Sequence, residues 1–196
     1  MADAPSGTLP TDRLVLAASP DTMSHDRPVL ITSPKNPRVA EAVRLRDRRH
    51  RQQQGRTLID GVRELSRALA AGVRIVEAFV CEPLCQSDQS WRLLGALPKI
   101  GCELLHVTEP VFQKLAFGQR AEGVVGVAEI PCHTLELLSR IDAGPRPAAG
   151  GRFPLVAVVE GVEKPGNLGA VLRSADAAGV SAVIASDPRT DLYNPN

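Results

Sequence analysis

Two periods of apolar and polar positions alternate through the first two thirds of the chain. Short apolar runs of strand length fall at residues 57–59, 74–81, 104–107 and 123–128. Between these runs, apolar residues recur at helical spacing at residues 62–72, 91–94 and 109–116. Alternating strands and helices are typical of a layered α/β structure. We therefore predict the α/β fold class, with a small compact unit over residues 28–142.

The same alternation returns near the end of the chain. Residues 155–159 form a continuous β-branched run, which predicts a strand buried on both faces of a parallel sheet. Residues 182–185 predict a second buried strand, and Gly179 is placed to end the helix between the two. The apolar stripe of that helix comprises Leu168, Val171, Leu172 and Ala175. A βαβ unit of this kind binds ligands at the loop after its first strand.

Composition divides the chain into four parts. Residues 1–27 are rich in Ala, Pro, Asp, Ser and Thr without a sustained period, which predicts a disordered tail. Residues 143–154 are rich in Ala, Gly and Pro, which is typical of a linker. We therefore expect a first domain over residues 28–142 and a second over residues 155–196.

Candidate chemistry lies in the loop that starts at Glu160. Gly166 and Gly169 allow a ligand or another backbone to approach closely, and Asn167 is predicted to cap the helix. Arg173 follows Gly169 by four residues and Gly166 by seven, so all three lie on one helix face. A side chain that leans toward the N-terminus would run back over both glycines to the mouth of the loop. The alternative is an ordinary capped helix with a packing glycine and a solvated arginine.

A basic segment follows the first apolar run. Residues 35–67 contain ten Lys and Arg against four Asp and Glu, a net charge of +6 in a chain whose overall net charge is +1. We predict one helix that starts at Pro37 and carries its arginines on the outside, where they bind RNA phosphates. The alternative is a solvated helix face. The candidate RNA-binding residues are Lys35, Asn36, Arg38, Arg48, Arg49 and Arg51, with Gln119 and Arg120 in a polar loop that is otherwise an ordinary connection.

Cysteine spacing gives little indication of a metal site. Cys81, Cys85, Cys102 and Cys132 form no C-x-x-C pair, so we expect no metal and interpret them as small buried thiols in a reducing cytoplasm. No apolar run reaches membrane-spanning length, so we expect no membrane partner.

Several segments resemble one family of RNA-modifying enzymes. The sequence E-K-P-G-N-L-G-A-V-L-R-S-A-D-A-A-G (residues 163–179) is similar to the first motif of the SpoU/TrmH family of SPOUT ribose 2′-O-methyltransferases, and D-L-Y-N-P-N (residues 191–196) resembles its next segment. Residues 31–39 and 51–61 resemble the family's RNA substrate-binding domain. The resemblance implies methyl transfer from S-adenosylmethionine to a ribose 2′-hydroxyl of rRNA, or of tRNA, with Arg173 and Asn167 as catalytic residues.

The resemblance also implies a knotted, parallel-sheet methyltransferase domain and a homodimer. In this family the later motifs build the cofactor pocket, and we expect this chain to end before them. The alternative is therefore a non-catalytic RNA-binding fragment that lacks the cofactor pocket. A nucleotide-dependent enzyme is disfavoured, because the loop from Gly161 to Gly169 matches neither the P-loop nor the dinucleotide fingerprint.

Overall fold

The structure is a computed structural model, and it describes residues 29–117, 122–138, 154–187 and 189–195. The predicted tail at residues 1–27, the candidate RNA contacts Gln119 and Arg120, and residues 143–153 of the predicted linker lie outside the described residues.

The first unit alternates helices and strands as its apolar pattern predicts. Its helices are α1 (Pro37–Arg44), α2 (Arg48–Gln54), α3 (Val62–Ala70), α4 (Asp88–Ala96) and α5 (Glu109–Leu115). Its strands are β1 (Arg56–Asp60), β2 (Ile75–Val80), β3 (Glu103–His106) and β4 (Val124–Glu129). Single turns of 3₁₀-helix at Glu82–Leu84 and Leu97–Ile100 flank α4.

These four strands form one mixed sheet in the order β1-β4-β2-β3. Strand β4 pairs antiparallel with both β1 and β2, with Leu58 opposite Val127 and Phe79 opposite Val125. Strands β2 and β3 are parallel. The strand that comes last in the sequence of this unit therefore lies inside the sheet.

Helices cover both faces of the mixed sheet. Because side chains alternate along a strand, Phe79 faces a cluster that includes Val39 of α1 and Phe112 of α5. Its neighbour Val80 faces the opposite cluster, which includes Leu65 of α3 and residues of α4. The result is a helix–sheet–helix sandwich with two cores.

The basic segment forms two helices instead of the predicted one. Helix α1 ends at Arg44, and Asp47 begins α2 by accepting a hydrogen bond from the backbone N–H of Arg49 at 2.8 Å. The prediction of one helix is wrong because Asp47 lies within the basic segment and acts as an N-cap. Aspartate at an N-cap favours the start of a new helix. The predicted start of α1 is confirmed, with Asn36 as N-cap and Pro37 as its first residue.

The second unit is a βαβ unit, with β5 (Val156–Glu160), α6 (Pro165–Ala177) and β6 (Ala182–Ser186). Its two strands are parallel, as predicted. The predicted burial on both faces is wrong, because Val158 is 65% exposed and no residue of β6 is fully buried. Among the described residues only one helix and two strands form this unit, so one face of the strand pair stays uncovered.

Two further properties bear on the predictions above. Of the helices that the structure describes, none has the length and apolar character that crossing a bilayer requires. Cys81, Cys85 and Cys102 are buried as predicted, whereas Cys132 is exposed. Cys132 follows β4 on a segment without regular structure, which is why the burial predicted for it is wrong.

Candidate functional site

The carboxyl ends of β5 and β6 are tied into one edge. The backbone N–H of Gly161 donates to the carbonyl of Ser186 at 3.1 Å, and the N–H of Thr190 donates to the carbonyl of Val162 at 3.0 Å. Gly161 adopts a φ of +63°, which favours glycine at this turn. The two loops that follow the parallel strands therefore form one surface, where sheets of this kind place their ligands.

Helix α6 starts at this edge, three residues earlier than the sequence predicts. Pro165 is its first residue and Lys164 is its N-cap, with no side-chain capping bond. The predicted capping role of Asn167 is therefore wrong, since Asn167 is the third helical residue. Proline at the first position explains the early start, because its fixed φ is already helical and it has no N–H to leave unsatisfied. The Asn167 side chain is exposed and is not needed as a cap.

Arg173 lies back along α6 toward the loop. A Cβ atom built on Gly169 would be 3.3 Å from Arg173 Nη1, so the guanidinium covers the position where Gly169 has no side chain. At Gly166 an added Cβ would meet nothing within 4 Å, so the helix face beyond the guanidinium is open. The prediction that Arg173 runs back over Gly169 is confirmed, whereas its predicted reach over Gly166 is wrong, because a Cβ there would meet no atom of Arg173.

The Arg173 guanidinium is exposed and has no hydrogen bond or ion pair to any residue within the described ranges. The neighbouring cation at this edge is different, since Arg189 is paired with Glu163 at 2.7 Å. Glu160 is the last residue of β5 and its side chain is exposed. Among the described residues, the edge thus presents one unpaired guanidinium beside an open glycine surface, an arrangement that suits an anionic or hydroxyl-bearing ligand.

The structure separates the predicted RNA-binding residues into two groups, and Arg38 belongs to the group with partners inside the protein. Its guanidinium is hydrogen-bonded to Glu77 (Nε–Oε2, 3.1 Å) and to Glu103 (Nη2–Oε2, 2.7 Å). Hydrogen bonds from Arg38 hold the pKa of the Glu103 carboxyl below its usual range. Arg38 therefore joins α1 to β2 and β3. The neighbouring Asn36 also acts within the protein, as the N-cap that accepts from the Arg38 N–H at 2.9 Å.

Arg51 departs furthest from its predicted position. It is 3% exposed, donates to the carbonyl of Leu45 at 2.6 Å and pairs with Asp191. The outward placement predicted for Arg51 is wrong, because a carboxylate from the end of the described chain draws the side chain inward. Lys35, Arg48 and Arg49 do remain exposed, and they keep cationic side chains on the outer surface around α1 and α2.

The residues that join the C-terminal segment to the first unit were not predictable from the sequence pattern. Asp191 pairs with Arg51, the Tyr193 carbonyl accepts from Thr57 Oγ at 2.9 Å, and the Tyr193 hydroxyl donates to the Pro131 carbonyl at 3.3 Å. These partners are separated by 62 to 140 positions. The one local signal for these contacts is the D-L-Y-N-P-N segment, whose resemblance to the family does not indicate its partners in the first unit.

The fold and this edge define the class of the protein, an α/β protein with a mixed-sheet unit and a βαβ unit that presents an arginine at its ligand edge. Residues 36–126 match the MRM3-like substrate binding domain, and residues 154–196 match the SpoU rRNA Methylase family. The part of the chain from residue 154 is therefore similar to the SpoU rRNA methylases.

Individual relatives show the same similarity. The chain is 31% identical over 132 residues to the 23S rRNA (guanosine-2′-O-)-methyltransferase RlmB of Photobacterium profundum. The aligned region covers 65% of this chain and 50% of the relative. A crystal structure of an RNA 2′-O ribose methyltransferase superposes with a TM-score of 0.63 at 41% identity, covering 85% of this chain and 58% of that one. The SpoU methyltransferase AviRb of Streptomyces viridochromogenes, solved with the cofactor AdoMet, superposes with a TM-score of 0.64 at 26% identity. The superposition covers 82% of this chain and 57% of AviRb. The chain spans about half the length of the relatives it matches.

Proposed function

We propose that this protein is an RNA methyltransferase that transfers a methyl group from S-adenosylmethionine to a ribose 2′-hydroxyl of rRNA. The observation that carries the proposal is the Arg173 guanidinium, which lies over Gly169 at the carboxyl end of β5 and stays free of partners among the described residues. The rRNA 2′-O-methyltransferases among its relatives support the reaction and favour rRNA over tRNA.

Arg173 would act on the RNA side of the reaction. A guanidinium stays protonated at ordinary pH, so Arg173 does not serve as a general base. Its planar fork suits a phosphate next to the target ribose, and its charge stabilises the oxyanion that develops as the 2′-hydroxyl attacks. Asn167 lies on the same helix with an exposed amide that can hydrogen-bond the ribose. Gly166 leaves room for the sugar to approach the helix.

The described residues of this edge suit the methyl acceptor, the RNA ribose, better than the methyl donor, S-adenosylmethionine. When bound, S-adenosylmethionine supplies an electrophilic methyl group on a sulfonium cation. Arg173 carries the same sign of charge and would repel that sulfonium at close range. We therefore assign Arg173, Asn167 and Gly166 to the RNA and assign no described residue to the donor.

The first unit would hold the RNA. Lys35, Arg48 and Arg49 are the exposed cations that suit phosphate contacts, and Gln119 and Arg120 stay in this proposal as further contacts. Arg38 and Arg51 would act by holding the fold together, because each is engaged with carboxylates. We propose the domain division of residues 28–142 and 155–196 joined by a linker at 143–154. A cytoplasmic location and a homodimer complete the proposal, by analogy with the family.

The decisive experiment compares Arg173→Lys with the unchanged protein on rRNA and radiolabelled S-adenosylmethionine. Lysine keeps the charge but loses the fork, so kcat should fall by about 10²–10³-fold, while the Kd for RNA changes by less than about threefold. Arg74→Lys, a distant exposed arginine paired with Glu129, is the matched control and should retain full turnover. Full turnover by Arg173→Lys would contradict the proposal.

The second candidate function is RNA binding without catalysis, favoured by the exposed cations of the first unit. Calorimetry with S-adenosylmethionine separates the two candidates. Heat of binding supports the enzyme, whereas salt-dependent RNA binding without that heat supports the binding module.

A further inference from the structure

A cavity of about 490 Å³ lies where the C-terminal segment meets the first unit. Helix α2 contributes one wall through Arg48 and Gln52. The segment after β4 contributes the second wall, and residues 190–193 contribute the third. The cavity is distinct from the Arg173 edge, none of whose proposed catalytic residues line it. Its volume is within the range of small-ligand sites, about 300–1,000 Å³.

Hydrogen bonds fix the three walls to one another. The Ile130 N–H donates to the carbonyl of Gly55 at 2.8 Å, which joins the end of α2 to the second wall. The Tyr193 hydroxyl donates to the carbonyl of Pro131 at 3.3 Å, which joins the second wall to the third. The buried pair of Arg51 and Asp191 joins the third wall back to α2. Because every wall is tied, the cavity is preformed.

The lining combines an apolar body with a few polar groups. Ile130, Pro131, Leu192 and the Tyr193 side chain supply apolar and aromatic surface. Arg48 and Gln52 are four residues apart on α2, so they lie on one helix face. Both side chains are exposed, and no hydrogen bond to another described residue occupies either of them.

Charge identifies the kind of ligand. Asp191 neutralises Arg51 within the wall, which leaves Arg48 as the uncompensated charge of the lining at neutral pH. His133 also lines the cavity. The site therefore offers the Arg48 guanidinium to one phosphate and the Gln52 amide to the polar edge of a heterocyclic ring. Its apolar wall, which includes the aromatic ring of Tyr193, can contact the face of such a ring.

We propose that this cavity binds a single unpaired nucleotide of the RNA substrate, with its base against Tyr193 and Pro131, its polar edge at Gln52 and its phosphate at Arg48. The inference rests on the proposed function, since it assumes that the protein binds RNA. A base that is stacked and paired in a duplex has no free face or edge to present, so the site selects single-stranded RNA.

Cys132 provides a direct report of occupancy, because it lines the same cavity and its thiol is exposed. The other three cysteines are buried, and burial raises the pKa of Cys85 and of Cys102 to about 11. Alkylation by N-ethylmaleimide near neutral pH therefore reads Cys132 selectively.

The experiment measures that alkylation rate by mass spectrometry on the full chain at saturating ligand. The ligands are a single-stranded RNA of about six nucleotides, the same sequence as a duplex, and S-adenosylmethionine, with binding of each RNA followed by fluorescence anisotropy. Single-stranded RNA should slow alkylation about tenfold, while duplex and S-adenosylmethionine leave the rate unchanged. A Gln89→Cys, Cys132→Ser variant carries its thiol on the exposed surface of α4 and should react at one rate with every ligand.

A pair of neighbouring substitutions tests the contact itself. Gln52→Ala removes the amide from the cavity, whereas Gln53→Ala changes an exposed residue of the same helix that does not line it. Affinity for single-stranded RNA should fall about tenfold in Gln52→Ala and stay unchanged in Gln53→Ala. Equal losses in the two variants would overturn the assignment.

The outcomes separate this inference from the proposed function. If RNA binds and Cys132 reacts at its free rate, the cavity assignment is wrong and the proposed function stands. Equal protection by duplex, or protection by S-adenosylmethionine alone, also overturns the assignment. If neither RNA binds, both the assignment and the proposed RNA substrate fail.

Discussion

The guanidinium of Arg173 lies over Gly169, one helical turn earlier, so closely that a Cβ at Gly169 would be 3.3 Å from Nη1. Two residues four positions apart are neighbours on any helix. Here the absence of a side chain at Gly169 decides where the arginine can lie. The proposed chemistry depends on this contact, because it brings the charge from the body of α6 toward the loop.

Gly169→Ala tests the contact directly. The added methyl group crowds Nη1 and should displace the guanidinium by a few tenths of an ångström, lowering methyl transfer about tenfold or more. Alanine should also raise the free energy of unfolding by about 0.5–1 kcal/mol, because it favours the helix. Turnover on rRNA and urea denaturation measure the two effects. Unchanged turnover would show that the position of Arg173 does not matter.

Asp191→Ala should destabilise the protein strongly. The change leaves the 3% exposed Arg51 without its carboxylate, and removal of one partner from a buried pair costs about 3–5 kcal/mol. Asp191 is itself partly exposed, so we expect a value near the lower limit. Urea denaturation measures the loss. The double variant Arg51→Met, Asp191→Ala should recover part of it, and a further loss in that variant would contradict the pairing.

Arg38→Ala should change how stability depends on pH. Hydrogen bonds from Arg38 lower the pKa of Glu103 in the folded protein. The ionised carboxylate therefore stabilises the fold at pH values above the pKa of glutamate in the unfolded chain, about 4.3. This stabilisation is lost as the pH falls below that value, through the pKa of the folded protein. The variant should therefore be destabilised near neutral pH, and the difference should shrink below about pH 4.3. Urea denaturation of both proteins from pH 3 to pH 7 measures this difference in the free energy of unfolding.

The ion pair of Arg74 with Glu129, at the mixed sheet that Arg38 also contacts, provides a matched control. Arg74→Ala breaks the exposed pair with Glu129 and should cost only about 0–1 kcal/mol. A constant difference between Arg38→Ala and the unchanged protein across the pH range would mean that Glu103 is not the titrating partner.

The cysteines should differ sharply in reactivity. Burial raises the pKa of Cys81, Cys85 and Cys102, and a raised pKa lowers the thiolate fraction at any pH below it. Iodoacetamide at pH 8 should therefore modify exposed Cys132 first, and the others only after urea unfolds the protein. Mass spectrometry of digested protein measures each site. Early modification of Cys85 would contradict its burial.

Arg49→Ala should weaken RNA binding through charge alone. Arg49 is an exposed cation on α2, so its loss should lower the slope of log K against log salt concentration by about one. Arg92→Ala, an exposed arginine on α4, is the control and should leave the slope unchanged. A titration of salt with labelled RNA measures both. Equal slopes for the two variants would exclude α2 from the RNA surface.

Local signals in the sequence were sufficient for the elements and for the direction of Arg173. Strand β4 was predicted because residues 123–128 form an apolar run, and α1 because Asn36 and Pro37 make a helix start. The contact of Arg173 with Gly169 was predicted because it depends on one helical turn.

Features that depend on distant parts of the chain were not predictable. The burial of Arg51 requires Asp191, which is 140 positions away, and nothing near Arg51 indicates that partner. The exposure of Val158 depends on which layers cover the strand pair, and an apolar run alone does not report them. The capping role of Asn167 was mispredicted because Pro165 and Asn167 both signal a helix start, and the proline came first.

The position of β4 between β1 and β2 has a consequence for biosynthesis. The ribosome delivers β1 and β2 first, and in the finished sheet these two strands are separated by β4 rather than paired with each other. Until residue 129 has left the exit tunnel, both strands keep unpaired edges on the sides that face the missing strand. The first unit can therefore complete its sheet only after β4 has been synthesised, and until then the open strand edges of the nascent chain are exposed to aggregation.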